Sequence, residues 1–184
     1  YDLARAHMDL GRLYMMQERW DECSQHLNAA IPLYIEVGKR ADTDLSEAYC
    51  LRGALHLAQG QAAEARHWAE RCCDLLRLAT GTQEGDSLEW GHYERLVGRI
   101  ALIDGDLAAA DRHLRRSAVI FQGRGSKLET ARTVYWSGML SLAQHEPEKA
   151  SQGLNRAQQI FEQLGATVDL ERTRQQLEQS LGVS

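Results

Sequence analysis

Cysteine and histidine lie three residues apart at Cys23 and His26, a spacing at which two side chains of one helix can bind zinc. A zinc site needs two further ligands at compatible positions, and His67 and Cys72, five residues apart, do not share a helix face. The adjacent Cys72 and Cys73 point about 100° apart on a helix, so a bridge between them would be severely strained. We therefore expect reduced thiols and no metal ion.

Two other patterns resemble catalytic motifs in residue type only. The segment 123–127, Gly-Arg-Gly-Ser-Lys, lacks the spacing of a Walker phosphate loop and follows a predicted helix instead of a strand. Carboxylate pairs such as Asp21 with Glu22 lie near helix starts or on polar faces, where they interact with the helix dipole and solvent. The histidines show no spacing typical of a nucleophile and its base. We therefore expect a protein that is not an enzyme and needs no cofactor.

Composition excludes several classes of protein. The sequence has 43% hydrophobic residues and 2 prolines, which argues against disorder, and no apolar run approaches the roughly 18 residues that span a bilayer. The net charge of −5 argues against direct nucleic-acid binding, because neutralising phosphates requires a clustered basic surface. Cysteines placed inside predicted helices fit a reducing compartment. These observations favour a soluble, cytoplasmic protein without membrane contact.

A glycine among apolar residues recurs along the chain, at Gly11, Gly53, Gly98 and Gly138, with gaps of 42, 45 and 40 residues. Each glycine is followed seven and eight residues later by a short polar break. Small or apolar residues stand twelve, sixteen and nineteen positions after each glycine: Cys23, Leu27 and Ala30; Ala65, Ala69 and Cys72; Ala110, Leu114 and Ser117; and Ala150, Leu154 and Ala157. This period is typical of stacked helix pairs with small residues at the helix contacts.

The pattern predicts an all-α protein, a right-handed α-solenoid of four helix pairs followed by a C-terminal capping helix. The repeats cover about residues 1–42, 43–86, 87–126 and 127–167, and the capping helix covers 168–181. A polar connector over residues 81–86 accounts for the longest gap. Because the chain opens at Tyr1 within a helical pattern, we interpret this single domain as a fragment of a larger protein.

These residues resemble the tetratricopeptide repeat, whose first helix carries Leu-Gly-x-x-Tyr and whose second helix carries Ala, an aromatic residue or Leu, and Ala. Residues 10–14, Leu-Gly-Arg-Leu-Tyr, match fully, whereas Arg52 and Ser137 stand where leucine is usual. The repeats of 40 to 45 residues are longer than the usual 34 of the family. They look like the long repeats of kinesin light chains, pheromone-peptide receptors and sensor arms of bacterial regulators.

The resemblance implies a peptide site in a concave groove formed by the first helices. In this fold, the groove positions lie six and three residues before each reference glycine, and one and four after it. Among these sixteen positions are five arginines and one glutamate, Glu47, so they carry a net charge of +4. The predicted contact residues are Arg5, Met8, Arg12, Met15, Arg95, Arg99, Arg132, Tyr135 and Met139.

Arginine binds carboxylates through two parallel hydrogen bonds, and methionine adapts to varied apolar side chains. The sequence therefore predicts a non-enzymatic module that binds an acidic peptide segment of a protein partner. Two alternatives stay open. One is a ligand- or peptide-sensing domain of a bacterial transcription regulator or signalling ATPase. The other is self-association, in which exposed end helices pair in a homodimer.

Overall fold

The computed structural model describes residues 1–81 and 85–181, with the side chains of Thr80 and Leu181 left out. The described segments are helical and joined by short turns. The helices are α1 (Asp2–Met16), α2 (Trp20–Val37), α3 (Asp42–Ala58), α4 (Ala62–Thr80), α5 (Leu88–Ile103), α6 (Leu107–Gly123), α7 (Lys127–Ala143), α8 (Pro147–Leu164) and α9 (Thr167–Leu181). One turn of 3₁₀ helix, Gly38–Ala41, joins α2 to α3. The all-α prediction is confirmed, while part of the predicted polar connector, residues 82–84, lies outside the described residues.

The helices form successive antiparallel pairs, with α1, α3, α5 and α7 as first helices and α2, α4, α6 and α8 as second helices. The chain divides into two compact units: residues 1–96 form unit 1 and residues 97–184 form unit 2. Within unit 1, α1 packs on α2, α2 on α3 and α3 on α4. Within unit 2, α6 packs on α7, α7 on α8, and α9 on both α7 and α8. The predicted capping helix thus lies against the last helix pair.

The small and apolar residues of the repeat pattern form the contacts between paired helices. All twelve positions predicted from the spacing are buried, none more than 5% exposed. A Cβ atom added to Gly98 would lie 2.9 Å from the Cγ atom of Leu114, sixteen residues later. A Cβ atom added to Gly138 would lie at the same distance from the Cγ atom of Leu154. In the second repeat that position holds Ala69, and the nearest atom to Gly53 belongs to Leu96 of α5 instead.

The turn within each pair has a shared backbone conformation, seven residues after the reference glycine. Gly60 and Gly105 have φ values of 74° and 79° there, in the left-handed region that glycine tolerates best. Glu18 and His145 occupy the equivalent positions with φ of 58°. The non-glycine residues are held in this conformation by the same tight connection between helices.

Within the two described ranges, no helix combines the length and the apolar character needed to cross a membrane.

Candidate functional site

In unit 1, the predicted contact positions of neighbouring first helices meet on one face. The Nη2 atom of Arg12, on α1, lies 2.6 Å from Oε2 of Glu47 on α3. The Nη1 atom of the same guanidinium lies 2.9 Å from Oδ1 of Asp9. The packing of α1 near α3 therefore brings Arg12 and Glu47 into contact.

The same polar contacts continue onto α5. The Oε1 atom of Glu47 lies 3.9 Å from Nε2 of His92, a contact that becomes an ion pair when the imidazole is protonated. Arg95 brings its Nη2 atom to 3.2 Å from Nδ1 of His92. We call the set Asp9, Arg12, Glu47, His92 and Arg95 the first-helix network. It spans three successive first helices and remains partly open to solvent.

The other predicted contact residues of unit 1 differ in accessibility. Arg5 is exposed, and its guanidinium carbon lies 5.8 Å from the ring centre of Tyr1. Met15 is half-buried, whereas Met8 is only 2% exposed and belongs to the core. Met8 therefore supports the face from beneath, and the surface itself is dominated by arginine and its polar neighbours.

In unit 2, an aromatic pair accompanies the predicted arginine of α5. The guanidinium carbon of Arg99 lies 4.3 Å from the ring centre of Trp136, a cation–π geometry. Tyr135 meets Trp136 edge to face, with ring centres 5.4 Å apart, and is itself only 8% exposed. Burial raises the pKa of Tyr135, partly offset by the charges of Arg172 and Arg99, so its phenol stays protonated near neutral pH.

Arg132, on α7, is tied to two carboxylates. Its Nη1 atom donates to Oε1 of Glu129, and its Nη2 atom donates to Oδ2 of Asp169 on α9, each over 2.8 Å. Burial by itself lowers the pKa of Arg132, but the hydrogen bonds and charges of the two carboxylates outweigh it and raise the pKa. This arginine links the capping helix to α7. Met139, on the same helix, is half-buried against the core of unit 2.

Sequence reasoning missed the carboxylate partners of these arginines. Asp9 and Glu129 each precede their arginine by three residues, a spacing at which helical side chains meet, and this signal was available. Asp169 lies thirty-seven residues from Arg132, and only the packing of α9 on α7 brings them together. The first-helix faces are therefore less positive than the count of arginines indicates.

The cysteines show no sign of an activated nucleophile. All four thiols are free and buried. Burial raises the pKa of Cys23 to about 11, while a hydrogen bond with Cys50, 3.3 Å away between sulfur atoms, and burial raise that of Cys72. The thiols of Cys23 and Cys72 are therefore protonated near neutral pH and poorly reactive. Over residues 1–81 and 85–181, no group of three or more histidine, cysteine or acidic side chains is arranged to hold a metal ion.

Comparison with known proteins agrees with the helix-pair architecture. The sequence model of the tetratricopeptide repeat family matches residues 2–78, which include α1 to α3 and most of α4. The matched segment carries tetratricopeptide repeats. No curated protein sequence matches it significantly.

Solved structures extend this likeness beyond the matched residues. One is a protein of Podosopora anserina described as a kinesin light chain with nearly identical tetratricopeptide-like repeats. It shares 15% sequence identity with a TM-score of 0.53, over 99% of this chain and 93% of that one. Another is BtubC (BKLC) of P. vanneervenii, with 14% identity and a TM-score of 0.49, over 99% and 89% of the two chains. At this identity the first likeness shows the fold alone. Tetratricopeptide repeats are in general protein-interaction modules without catalytic activity.

Proposed function

We propose that this tetratricopeptide repeat domain binds a peptide segment of a protein partner on its first-helix faces and prefers segments with acidic side chains. The observation that carries the proposal is the first-helix network of unit 1. Side chains from α1, α3 and α5 meet there on one partly exposed surface. A surface that crosses several helices can contact successive residues of an extended peptide.

The preference for acidic segments follows from the exchange of ion pairs. A partly exposed ion pair such as that of Arg12 with Asp9 contributes about 1 kcal/mol or less to stability. A carboxylate of the peptide can therefore replace Asp9 on Nη1 of Arg12 at little cost, while Glu47 keeps its contact with Nη2. Arg5, about two helical turns before Arg12, is exposed with its guanidinium carbon 5.8 Å from the Tyr1 ring centre, which leaves it accessible to a second carboxylate.

The first-helix face of unit 2 also carries arginines, but one of them stacks on an aromatic ring. Arg99 lies over Trp136, so a bound carboxylate would meet a cation already held by an aromatic ring. Arg132 and its two carboxylates are less exposed than Arg12 and Asp9, so their exchange costs more and Arg132 contributes less. Met139 supplies apolar contact, and Tyr135 supports it from the core.

Matched peptides test this function. Short acidic peptides, taken from proteins captured by the domain, are compared with copies in which Asp and Glu are replaced by Asn and Gln. We expect the acidic peptides to bind at least about tenfold more tightly, because a charged hydrogen bond contributes roughly 1.5–3 kcal/mol. The combined Arg5→Gln and Arg12→Gln variant should lose this preference. Arg77→Gln, which removes an exposed charge from α4, is the matched control. Equal binding of the acidic and amide peptides would overturn the proposal.

A second function, self-association, is favoured by one exposed stripe on α1. Leu3, Leu10 and Leu13 are 61%, 38% and 46% exposed, and with Ala6 they lie on one side of the helix. The equivalent positions of α3 are at most 7% exposed and pack towards α2: Leu45, Ala48, Arg52 and Leu55. A second copy of the chain would cover the stripe of α1 in the same way.

Sedimentation equilibrium tests this alternative. We expect the average mass to rise with concentration for the wild-type domain and to stay monomeric for Leu10→Glu. A wild-type domain that is monomeric at every concentration would exclude self-association through α1.

A further inference from the structure

Two arginines and two aromatic residues form a cluster in unit 1 that the first-helix network does not include. The Trp68 cluster consists of Tyr49 and Arg52 on α3 with Trp68 and Arg71 on α4. The guanidinium carbon of Arg71 lies 4.6 Å from the ring centre of Tyr49 and 4.7 Å from that of Trp68. Its Nη2 atom also donates a 2.8 Å hydrogen bond to the Tyr49 hydroxyl. Arg71 is half-buried, and the rings of Tyr49 and Trp68 together hold its guanidinium in one orientation.

Arg52 lies beneath the Trp68 ring and is only 6% exposed. Its guanidinium carbon is 5.5 Å from the ring centre of Trp68, so the indole contacts two cations. The Nη1 and Nη2 atoms donate to the side-chain oxygens of Ser24 and Asn28 on α2, over 3.2 and 2.5 Å. The buried Nε atom has no hydrogen-bond partner. Burial lowers the pKa of Arg52, since desolvation disfavours the charged form.

The charge of the cluster is not compensated within the described part of the chain. No carboxylate there lies within ion-pair distance of Arg52 or Arg71, in contrast to Arg12 and Arg132, which are paired with carboxylates. A buried cation without an anion is costly, and an arginine stands here although the repeat pattern has leucine. Arg52 therefore concentrates positive charge beneath the half-buried Trp68 ring, while Tyr49, 5% exposed, holds Arg71 from the core.

We propose that the Trp68 cluster is a second protein-docking surface, whose partner places an Asp or Glu carboxylate on Arg71 beside the Trp68 ring. Arg71 supplies the contact, and Arg52 supplies a second positive charge from beneath. Tryptophan, tyrosine and arginine are the residues that most often dominate binding energy at protein interfaces. Their mutual contacts fix the side chains before binding, which reduces the entropy lost when a partner docks. The surface includes second-helix residues and is independent of the first-helix network.

Nuclear magnetic resonance of the arginine Nε–Hε groups tests this proposal at the level of single residues. The probe is a panel of short peptides containing Asp or Glu, each with a matched copy containing Asn or Gln. We expect acidic peptides to shift the Nε–Hε resonance of Arg71 and to bind at least about tenfold more tightly than their amide copies. Should only the resonances of Arg5 and Arg12 shift, the docking surface at Trp68 is refuted while the function proposed for the first-helix face stands.

Substitutions provide the second measurement. Arg71→Gln should weaken acidic-peptide binding by about tenfold, while Arg77→Gln, an exposed position on the same helix, should leave it unchanged. Arg52→Leu restores the residue usual in the repeat and should weaken binding several-fold in a domain that remains folded by circular dichroism. Unchanged affinity in Arg71→Gln, or an equal loss in Arg77→Gln, would overturn the proposal.

Discussion

Replacing Gly138 by alanine tests whether the reference glycines are required by close helix packing. The added Cβ atom would lie 2.9 Å from Cγ and 3.0 Å from Cδ2 of Leu154, where carbon atoms ordinarily approach to roughly 3.5–4.0 Å. Leu154 is fully buried among the core residues of unit 2, so it has little room to move. Overpacking of this kind costs about 1–3 kcal/mol.

The matched control is the same substitution at Gly11. There the added Cβ atom would lie 3.6 Å from Cγ of Leu27, which is ordinary contact. Both variants gain the roughly 0.5–1 kcal/mol by which alanine exceeds glycine inside a helix. Gly11→Ala should therefore be more stable than wild type. Because both variants share the gain of alanine over glycine, Gly138→Ala should be less stable than Gly11→Ala by the overpacking cost alone, about 1–3 kcal/mol.

Urea unfolding followed by far-ultraviolet circular dichroism measures the free energy of unfolding of both variants. Gly123→Ala, at a position in unit 2 with no atom near the added Cβ, controls for differences between the units. In a Leu154→Ala background the contacting carbon atoms are gone, so the penalty of Gly138→Ala should disappear. Equal stability of the Gly11 and Gly138 variants, or a penalty that persists without the leucine side chain, would refute the packing argument.

Other predictions concern single polar groups. His145→Gly should raise the free energy of unfolding by about 0.5–1 kcal/mol in urea titrations, because φ at this turn is 58°. The folded-state pKa of Cys23, about 11 against an ordinary 9.0, favours the thiol, so stability should fall as pH rises from 9.0 to about 11. Cys23→Ala should flatten that decline in unfolding experiments across this pH range. Arg52→Leu should match or exceed wild-type thermal stability, and a large loss would show that the buried charge stabilises the fold. Thr133→Val removes the hydroxyl that lies 3.1 Å from the buried Ser117 hydroxyl and should cost about 1–2 kcal/mol in urea unfolding.

The helix pairs could be predicted because their contacts repeat. A glycine and a leucine sixteen residues apart mark the same crossing at Gly98 with Leu114 and at Gly138 with Leu154, so spacing alone located it. The second repeat shows the limit of this reasoning. Ala69 fits the small-residue pattern, but its short side chain leaves the space beside Gly53 to Leu96, a residue from another helix.

The contact of Arg12 with Glu47 could be predicted from helical spacing, whereas the neutralisation of an arginine could not. Periodicity assigned Arg12 and Glu47 to one face because it depends only on helical geometry. Whether an arginine is neutralised depends on what a neighbouring helix presents, as Asp169 does for Arg132. The departure of Arg52 from leucine was visible in the sequence, yet its contacts with Trp68 and α2 required the packed structure.

The two terminal helices have different surfaces, and this gives the domain a direction for extension by protein engineering. The outward residues of α9 are mainly charged or amide side chains, including Glu171, Arg174 and Gln175, whereas α1 exposes Leu3 and Leu10. The last helix of a designed repeat fused ahead of α1 could pack against these exposed leucines. Fusion after α9 would first require removal of that helix. Synthetic arrays based on this domain should therefore be lengthened from the amino-terminal side.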